Sequence, residues 1–125
     1  MILSTGIDLI EIERVASAIG RHGDRFLNRI YTPRELKDCA GNAASLAARF
    51  SAKEATAKAL GTGFGGKLAW DEIEIQRGEN REPILVLYKK AKLIAKEKKL
   101  TTWSVSLSHS QSHAIAMVVG MGQEK

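Results

Sequence analysis

The chain has 125 residues, enough for one core and little more, so a single domain over residues 1–125 is expected. With 44% hydrophobic and 26% charged residues it is not a low-complexity polymer, and no apolar run is long enough to cross a bilayer. The net charge of +5 invites an acidic partner, but residues 1–41 are balanced, and much of the excess comes from Lys89, Lys90, Lys92, Lys96, Lys98 and Lys99.

Residues 1–10 are rich in apolar and β-branched side chains and predict a first strand. In that register Ser4, Gly6, Asp8 and Ile10 share a face. Asp8 is then a carboxylate on a buried strand, where it needs a cation, a metal or several hydrogen bonds; a hydrogen-bonded structural aspartate is the plain alternative. The opening residues lack the basic region and cleavage site of a secretory signal, and the lone Cys39 has no intramolecular partner, so a cytoplasmic location is expected. A short helix over 11–19 follows, with Ile12, Val15, Ala16 and Ile19 on its apolar side and Gly20 at its end. A second runs from Asp24, as N-cap, through Ile30. Arg21, Arg25 and Arg29 recur every four residues beside Phe26 and Leu27, either a solvated helix face or a ridge for docking an acidic partner.

Thr32-Pro33-Arg34-Glu35 spells a capping box with proline at the first helical position, for a helix to about Cys39 that Gly41-Asn42 breaks. The next helix, starting between Asn42 and Ser45, is built of Ala, Leu, Lys and Glu and stops at Gly61. Leu46, Phe50, Ala57 and Leu60 form one stripe and Ala48, Ala52, Ala55 and Ala59 another roughly opposite, so both sides pack. Glu54 and Lys58 lie between the stripes one turn apart, as an ordinary ion pair or as the wall of a polar cleft. Lys53 falls near the large-residue stripe, where its head must snorkel or find a partner. In residues 61–68, Gly61, Gly66 and Lys67 match half of a nucleotide-binding P-loop. Leu68 stands where a serine or threonine is required, and the stretch follows a helix, so the match is rejected. Its glycines still permit close approach to a phosphate-bearing ligand, or simply make a turn.

Residues 71–76, with Ile73 and Ile75 on one face, and residues 84–88 read as a hairpin. Residues 89–99 read as a helix with Ala91, Leu93, Ile94 and Ala95 inward and the lysines in water. Residues 101–109 alternate Trp103, Val105 and Leu107 with Thr102, Ser104, Ser106 and Ser108, a half-buried strand, and 113–120 form the last strand. His109 sits at a strand end beside a polar turn, as a functional side chain or a hydrogen-bonded turn histidine. The sum is an α+β domain in which Asp8 and Glu54 are carboxylates of interest, far apart in the chain.

Four clusters carry a family resemblance: Gly6-Ile7-Asp8 with Glu11 and Arg14; Arg49-Phe50-Ser51-Ala52-Lys53-Glu54-Ala55 with Lys58-Ala59-Leu60-Gly61-Thr62-Gly63; Asp71-Glu72-Ile73-Glu74-Ile75; and Val105-Ser106-Leu107-Ser108-His109-Ser110. In this order and spacing, over almost the whole chain, they resemble the acyl carrier protein synthases, the small class of 4′-phosphopantetheinyl transferases. The resemblance implies that family's fold, an antiparallel sheet packed around a long central helix, in a single domain that assembles as a homotrimer with active sites at subunit interfaces. It implies transfer of 4′-phosphopantetheine from coenzyme A to a serine of apo acyl carrier protein, releasing adenosine 3′,5′-bisphosphate. It further implies Mg²⁺ held by Asp8 and Glu54, with Lys58 as the third catalytic residue, against the diphosphate. Arg49, Lys58, Gly61, Gly63, Ser106 and His109 match positions near coenzyme A. The acidic carrier is expected to dock on Arg14, Arg21, Arg25 and Phe26. Glu54, Asp8 and a metal-bound water stand as alternatives for the base that takes the serine proton.

Ala48 replaces a glycine common in the family, the segment between Cys39 and Ala47 is short, and Arg81-Glu82-Pro83 lacks the usual glycine. The short segment leaves open which residues meet the coenzyme's 3′-phosphate and leaves Asp8, Glu54 and Lys58 untouched. A basic nucleic-acid-binding module is the alternative reading, though the few aromatics are not interleaved with the lysines. A non-catalytic carrier-binding protein of the same fold is a third, which would keep the arginines and lose the metal ligands, whereas this chain keeps both. Neither a membrane nor a nucleic-acid partner is expected.

Overall fold

Ten residues at each end of the fold pair along their full length. In the computed structural model, which describes residues 1–64, 66 and 68–124, β1 (Ile2–Glu11) runs antiparallel to β5 (His113–Gly122), from Ile2 opposite Gly122 to Glu11 opposite His113. On the other side of β5 lies β4 (Thr102–His109), giving a sheet of order β1-β5-β4. A separate hairpin of β2 (Ile73–Arg77) and β3 (Pro83–Leu87) follows a 3₁₀ turn at Trp70–Glu72. The helices are α1 (Ile12–His22), α2 (Asp24–Ile30), α3 (Pro33–Cys39), α4 (Ala43–Leu60) and α5 (Lys89–Glu97). Together they make a mixed α+β fold. No helix among the described residues is long and apolar enough to cross a membrane.

Helix α4 starts where Asn42 Oδ1 accepts from the Ser45 amide and stops at Gly61, whose φ of 77° is the left-handed conformation that glycine adopts at low cost. Its alanine stripe faces the sheet: Ala52, Ala55 and Ala59 pack with Ala116 and Val118 of β5. The approach is closest at β1, where a Cβ on Gly6 would collide with the Ala55 carbonyl oxygen and Ser4 Oγ donates to the Ala59 carbonyl. Small residues on both sides let strand and helix touch through their backbones.

Several boundaries differ from the sequence reading. Gly20 lies inside α1, which ends instead at Gly23, where φ is 54°. Asp24 is the first residue of α2 and not its cap, because Gly23 holds that place. Arg21 therefore belongs to one helix and Arg25 and Arg29 to the next, so the regular spacing of the arginines does not make one ridge. Residues 71 and 72 belong to the 3₁₀ turn, β5 runs on to Gly122, and Lys98 and Lys99 lie beyond α5. Of the glycine-rich stretch read as a turn, Gly65 and Lys67 lie outside the described residues.

The fold buries charge as well as alkyl groups. Lys53, fully buried, places Nζ 2.7 Å from Glu35 Oε1 and also donates to the carbonyls of Ile30 (2.8 Å) and Trp70 (3.1 Å). Glu35 completes its shell with the amides of Thr32 (2.9 Å) and Ile75 (2.8 Å). The predicted capping box is thus present, and the carboxylate that closes it is the partner Lys53 required. Burial pulls the Lys53 ammonium's pKa down, and the Glu35 charge opposes it. Glu74 accepts from Thr32 Oγ1, Tyr88 Oη and Gln76 Nε2; burial pushes its carboxyl up, but those hydrogen bonds outweigh burial and hold it below its ordinary value. Glu72 accepts from the amides of Ala69 and Ala91, tying the 3₁₀ turn to α5.

Removing one member of a buried pair strands the other. Lys53→Met is expected to destabilise the protein by about 3–5 kcal/mol in urea denaturation; a loss below about 1 kcal/mol, the scale of exposed pairs, would mean that Glu35 needs no cation.

Candidate active site

The alternation of β1 turns Asp8 toward α4, two residues beyond the Gly6 contact. Lys58, on the last turn of α4, reaches back to β1: its Nζ donates to the Ile7 carbonyl at 2.9 Å and to Asp8 Oδ1 at 3.2 Å. The ion pair is thus between Lys58 and Asp8; Lys58 makes none with Glu54, its neighbour one turn earlier. Glu54 is nonetheless part of the same cluster. Burial and the negative charge of Asp8 push its carboxyl up, and Lys58 partly offsets them. Two carboxylates and one ammonium therefore share the ground between β1 and α4, with the Asp8 side chain 17% and that of Lys58 54% exposed.

One turn before Glu54, Phe50 leads into a cavity of about 420 Å³ lined by Arg14, Arg21, Phe26, Val15 and Ile10. Phe50 also stacks on Trp70 at 4.9 Å between centroids, and Trp70 on Phe64 at 3.7 Å. This aromatic stack joins α4 to the stretch that follows Gly61.

Arg49 faces elsewhere. Its side chain is buried, and the guanidinium donates from Nε to the Ile75 carbonyl at 3.3 Å, with Asp38 Oδ2 3.9 Å from Nη2. With Arg77, Arg81 and Ser106 it lines a cavity of about 290 Å³. Ser106 pairs with Met117, which pairs with Ile7, so its side chain lies on the sheet face opposite Asp8. His109 is exposed at the end of β4, its Nδ1 3.3 Å from the Ser110 carbonyl.

The family model of the 4′-phosphopantetheinyl transferase superfamily matches residues 4–118. The holo-[acyl-carrier-protein] synthase of Herpetosiphon aurantiacus is 49% identical over 96% of this chain and 99% of its own length, and that of Koribacter versatilis 43% identical over 95% and 98%. The chain belongs to the 4′-phosphopantetheinyl transferase superfamily. Among solved structures, the holo-[acyl-carrier-protein] synthase of Helicobacter pylori in complex with coenzyme A superposes with a TM-score of 0.86 at 32% identity, covering 94% of this chain and 99% of that one. Its counterpart from Neisseria meningitidis gives 0.85 at 30%, covering 94% and 97%. These relatives lend nothing to the nucleic-acid alternative.

For a member of this superfamily, the predicted residues fall into three places. Asp8, Glu54 and Lys58 are brought together, and Arg14, Arg21 and Phe26 border one cavity, from which Arg25 is missing. Arg49 and Ser106 meet at a third place, while Gly61 and Gly63 lie beyond the end of α4. Arg77 and Arg81 were not singled out from the sequence; the signal for them was the hairpin turn, which brings residues four apart to one end. Phe50 was read only as part of a packed stripe, though it lies one turn from Glu54.

The donor set fits a small hard cation. Asp8 and Glu54 place two carboxylates in one cluster, a number that suits a hard cation which keeps water and phosphate oxygens as its other ligands, and among the described residues no group of three His, Cys, Asp or Glu is placed to hold a metal ion. The charge coupling is itself measurable. In carboxyl NMR titrations with chelator present, Asp8→Asn should lower the Glu54 pKa and Lys58→Met should raise it; no shift in either variant would mean that the three groups do not share a site.

Proposed function

We propose that this protein transfers 4′-phosphopantetheine from coenzyme A to a serine of apo acyl carrier protein, with Asp8, Glu54 and Lys58 as its catalytic residues. The observation that carries the reading is the Asp8–Lys58–Glu54 cluster at the touching point of β1 and α4, in a chain whose relatives are holo-[acyl-carrier-protein] synthases. In the reaction the serine oxygen bonds to the phosphorus that carries pantetheine. The bond from that phosphorus to the bridging oxygen breaks, and adenosine 3′,5′-bisphosphate leaves with the electron pair. The serine proton passes to the Asp8–Glu54 carboxylate pair. Asp8 and Glu54 would hold Mg²⁺, which would supply neutralisation of charge on the diphosphate oxygens. Lys58, with 54% of its side chain exposed, turns its ammonium to the same oxygens.

Coenzyme A is bound by Lys58, Gly61 and Gly63 at one end and by Arg49, Ser106 and His109 at the other, with Arg77 and Arg81 completing a basic cavity suited to the 3′-phosphate. Since Asp8 and Ser106 face opposite sides of one sheet, the two ends are supplied by neighbouring copies in a homotrimer. The surface suited to that assembly is the outer sheet face, where Leu3 (59% exposed), Ile7 (57%), Leu9 (61%) and Met117 (47%) form an apolar stripe. The carrier docks on Arg14, Arg21, Arg25 and Phe26 beside Phe50, arginines meeting its acidic helix and aromatics its apolar residues. The single domain works without nucleic acid or membrane, in the cytoplasm.

Incubation with coenzyme A, Mg²⁺ and apo carrier should add one phosphopantetheine to the carrier, read by intact mass. Asp8→Asn and Glu54→Gln should each slow transfer by about 100-fold or more, and chelator should abolish it; parent-like rates in both variants would remove the catalytic assignment. Ile7→Lys should dissociate the trimer in light-scattering chromatography and lose activity with it, whereas an active monomer would refute the shared site.

A further inference from the structure

Lys58 Nζ occupies one of the two oxygens that Asp8 could offer to a cation. From the pairing of Lys58 Nζ with both Asp8 Oδ1 (3.2 Å) and the Ile7 carbonyl (2.9 Å), we infer that Lys58 is a displaceable internal counter-ion that competes with the divalent cation for Asp8 until a diphosphate draws it away. The inference rests on the metal reading of Asp8 and Glu54 and adds to it an order of events.

The backbone cannot relieve the competition. β1 is pressed against α4 at Gly6 and Ala55, and Ser4 is tied to Ala59, so the strand carrying Asp8 and the helix carrying Lys58 do not slide apart. The lysine side chain, with 54% of its surface exposed against 17% for Asp8, is the less enclosed of the two partners. A divalent ion bound to Asp8 sits about 2 Å from its oxygens, and an ammonium hydrogen-bonded to the same carboxylate would face it at short range with like charge. The ion therefore enters as Lys58 leaves. Leaving alone costs Lys58 both of its acceptors. A diphosphate restores them, since its oxygens accept from the ammonium and also complete the cation's shell. Lys58 thus makes cation and coenzyme A bind cooperatively, and by reciprocity each raises the other's affinity by the same factor.

The other charged groups around Lys58 do not serve this purpose. Glu54 makes no ion pair with it. Lys98 lies over the end of α4, where a Cβ on Gly61 would come within 2.7 Å of its Nζ, and it makes no ion pair with Asp8. Lys98 is therefore a control for the general effect of removing a nearby positive charge.

Mn²⁺ binding to the intact protein, followed by the loss of the free-ion EPR signal, tests the inference without turnover. Without coenzyme A, Lys58→Met should bind Mn²⁺ on the order of 10-fold more tightly than the parent, within the usual range of coupling between sites. Lys58→Arg, which keeps the charge, and Lys98→Met should stay near the parent. Adding coenzyme A, corrected for its own Mn²⁺ binding, should tighten the ion in both proteins, by a clearly larger factor in the parent than in Lys58→Met. If Lys58→Met binds no tighter than the parent while Asp8→Asn and Glu54→Gln abolish binding, the metal reading stands and the counter-ion role is overturned. If Mn²⁺ binding is insensitive to Asp8→Asn and Glu54→Gln, both fall.

Discussion

The contact between Gly6 and the Ala55 carbonyl sets the distance on which the candidate site depends. A strand and a helix usually pack through layers of side chains, which keep their backbones about 10 Å apart. Here the first layer is missing on both sides, glycine on β1 and alanines at 52, 55 and 59 on α4. A lysine one turn from the end of α4 can then reach a carbonyl and a carboxylate on the neighbouring strand at hydrogen-bond distance. Any side chain at position 6 would push β1 outward, and the loss would fall on that reach before it fell on the hydrophobic core.

The buried charges divide by how their counter-charges are held. Glu35 and Glu72 are satisfied by backbone amides and, for Glu35, by a lysine with no exposed surface, and Glu74 by three side-chain donors at once, those of Thr32, Gln76 and Tyr88. They fix α3, the hairpin and α5 relative to α4. Asp8 is satisfied by the end of a half-exposed lysine, and Glu54 makes no ion pair among the described residues. A carboxylate whose partner can be exchanged is costly as architecture, because its hydrogen bond is shared with water, yet it is what a binding site for a cation and an anion needs. The acids of the proposed site thus differ from those of the architecture in how exposed their counter-charge is.

Local rules made much of this visible beforehand. The capping box at Thr32 and Glu35, the Asn42 cap, the Gly61 stop and the shared face of Ser4, Gly6, Asp8 and Ile10 depend on residues a few positions apart. What local rules missed involves partners that only folding brings together. Lys53 meets Glu35 from eighteen positions away, and Arg49 is buried against Asp38 and Ile75, with no periodicity to announce either. Gly20 looked like a helix stop because glycine is a poor helix former, but a stop requires a conformation other residues avoid, and Gly23 adopts it. That one boundary divided the arginines between two helices. The meeting of Asp8 with the Glu54–Lys58 turn was legible only through the family resemblance, since alternation gives a face but not what covers it.

Strand pairing limits what one copy can do alone. Side chains of directly paired residues project to the same side, so Asp8, Ala116 and Leu107 point to α4 while Ile7, Met117 and Ser106 point away. With β5 between β1 and β4, Asp8 and Ser106 are separated by two strand spacings, about 10 Å, and by the thickness of the sheet. No rotamer of either side chain crosses that barrier. A ligand that touches both must pass around a sheet edge or lie between two copies of the chain. The second route also covers the apolar stripe of Leu3, Ile7, Leu9 and Met117, whose exposure would otherwise be unfavourable. The proposed shared site therefore answers two separate demands with one interface: the sheet's outer face needs a partner, and the two halves of the coenzyme site need to meet.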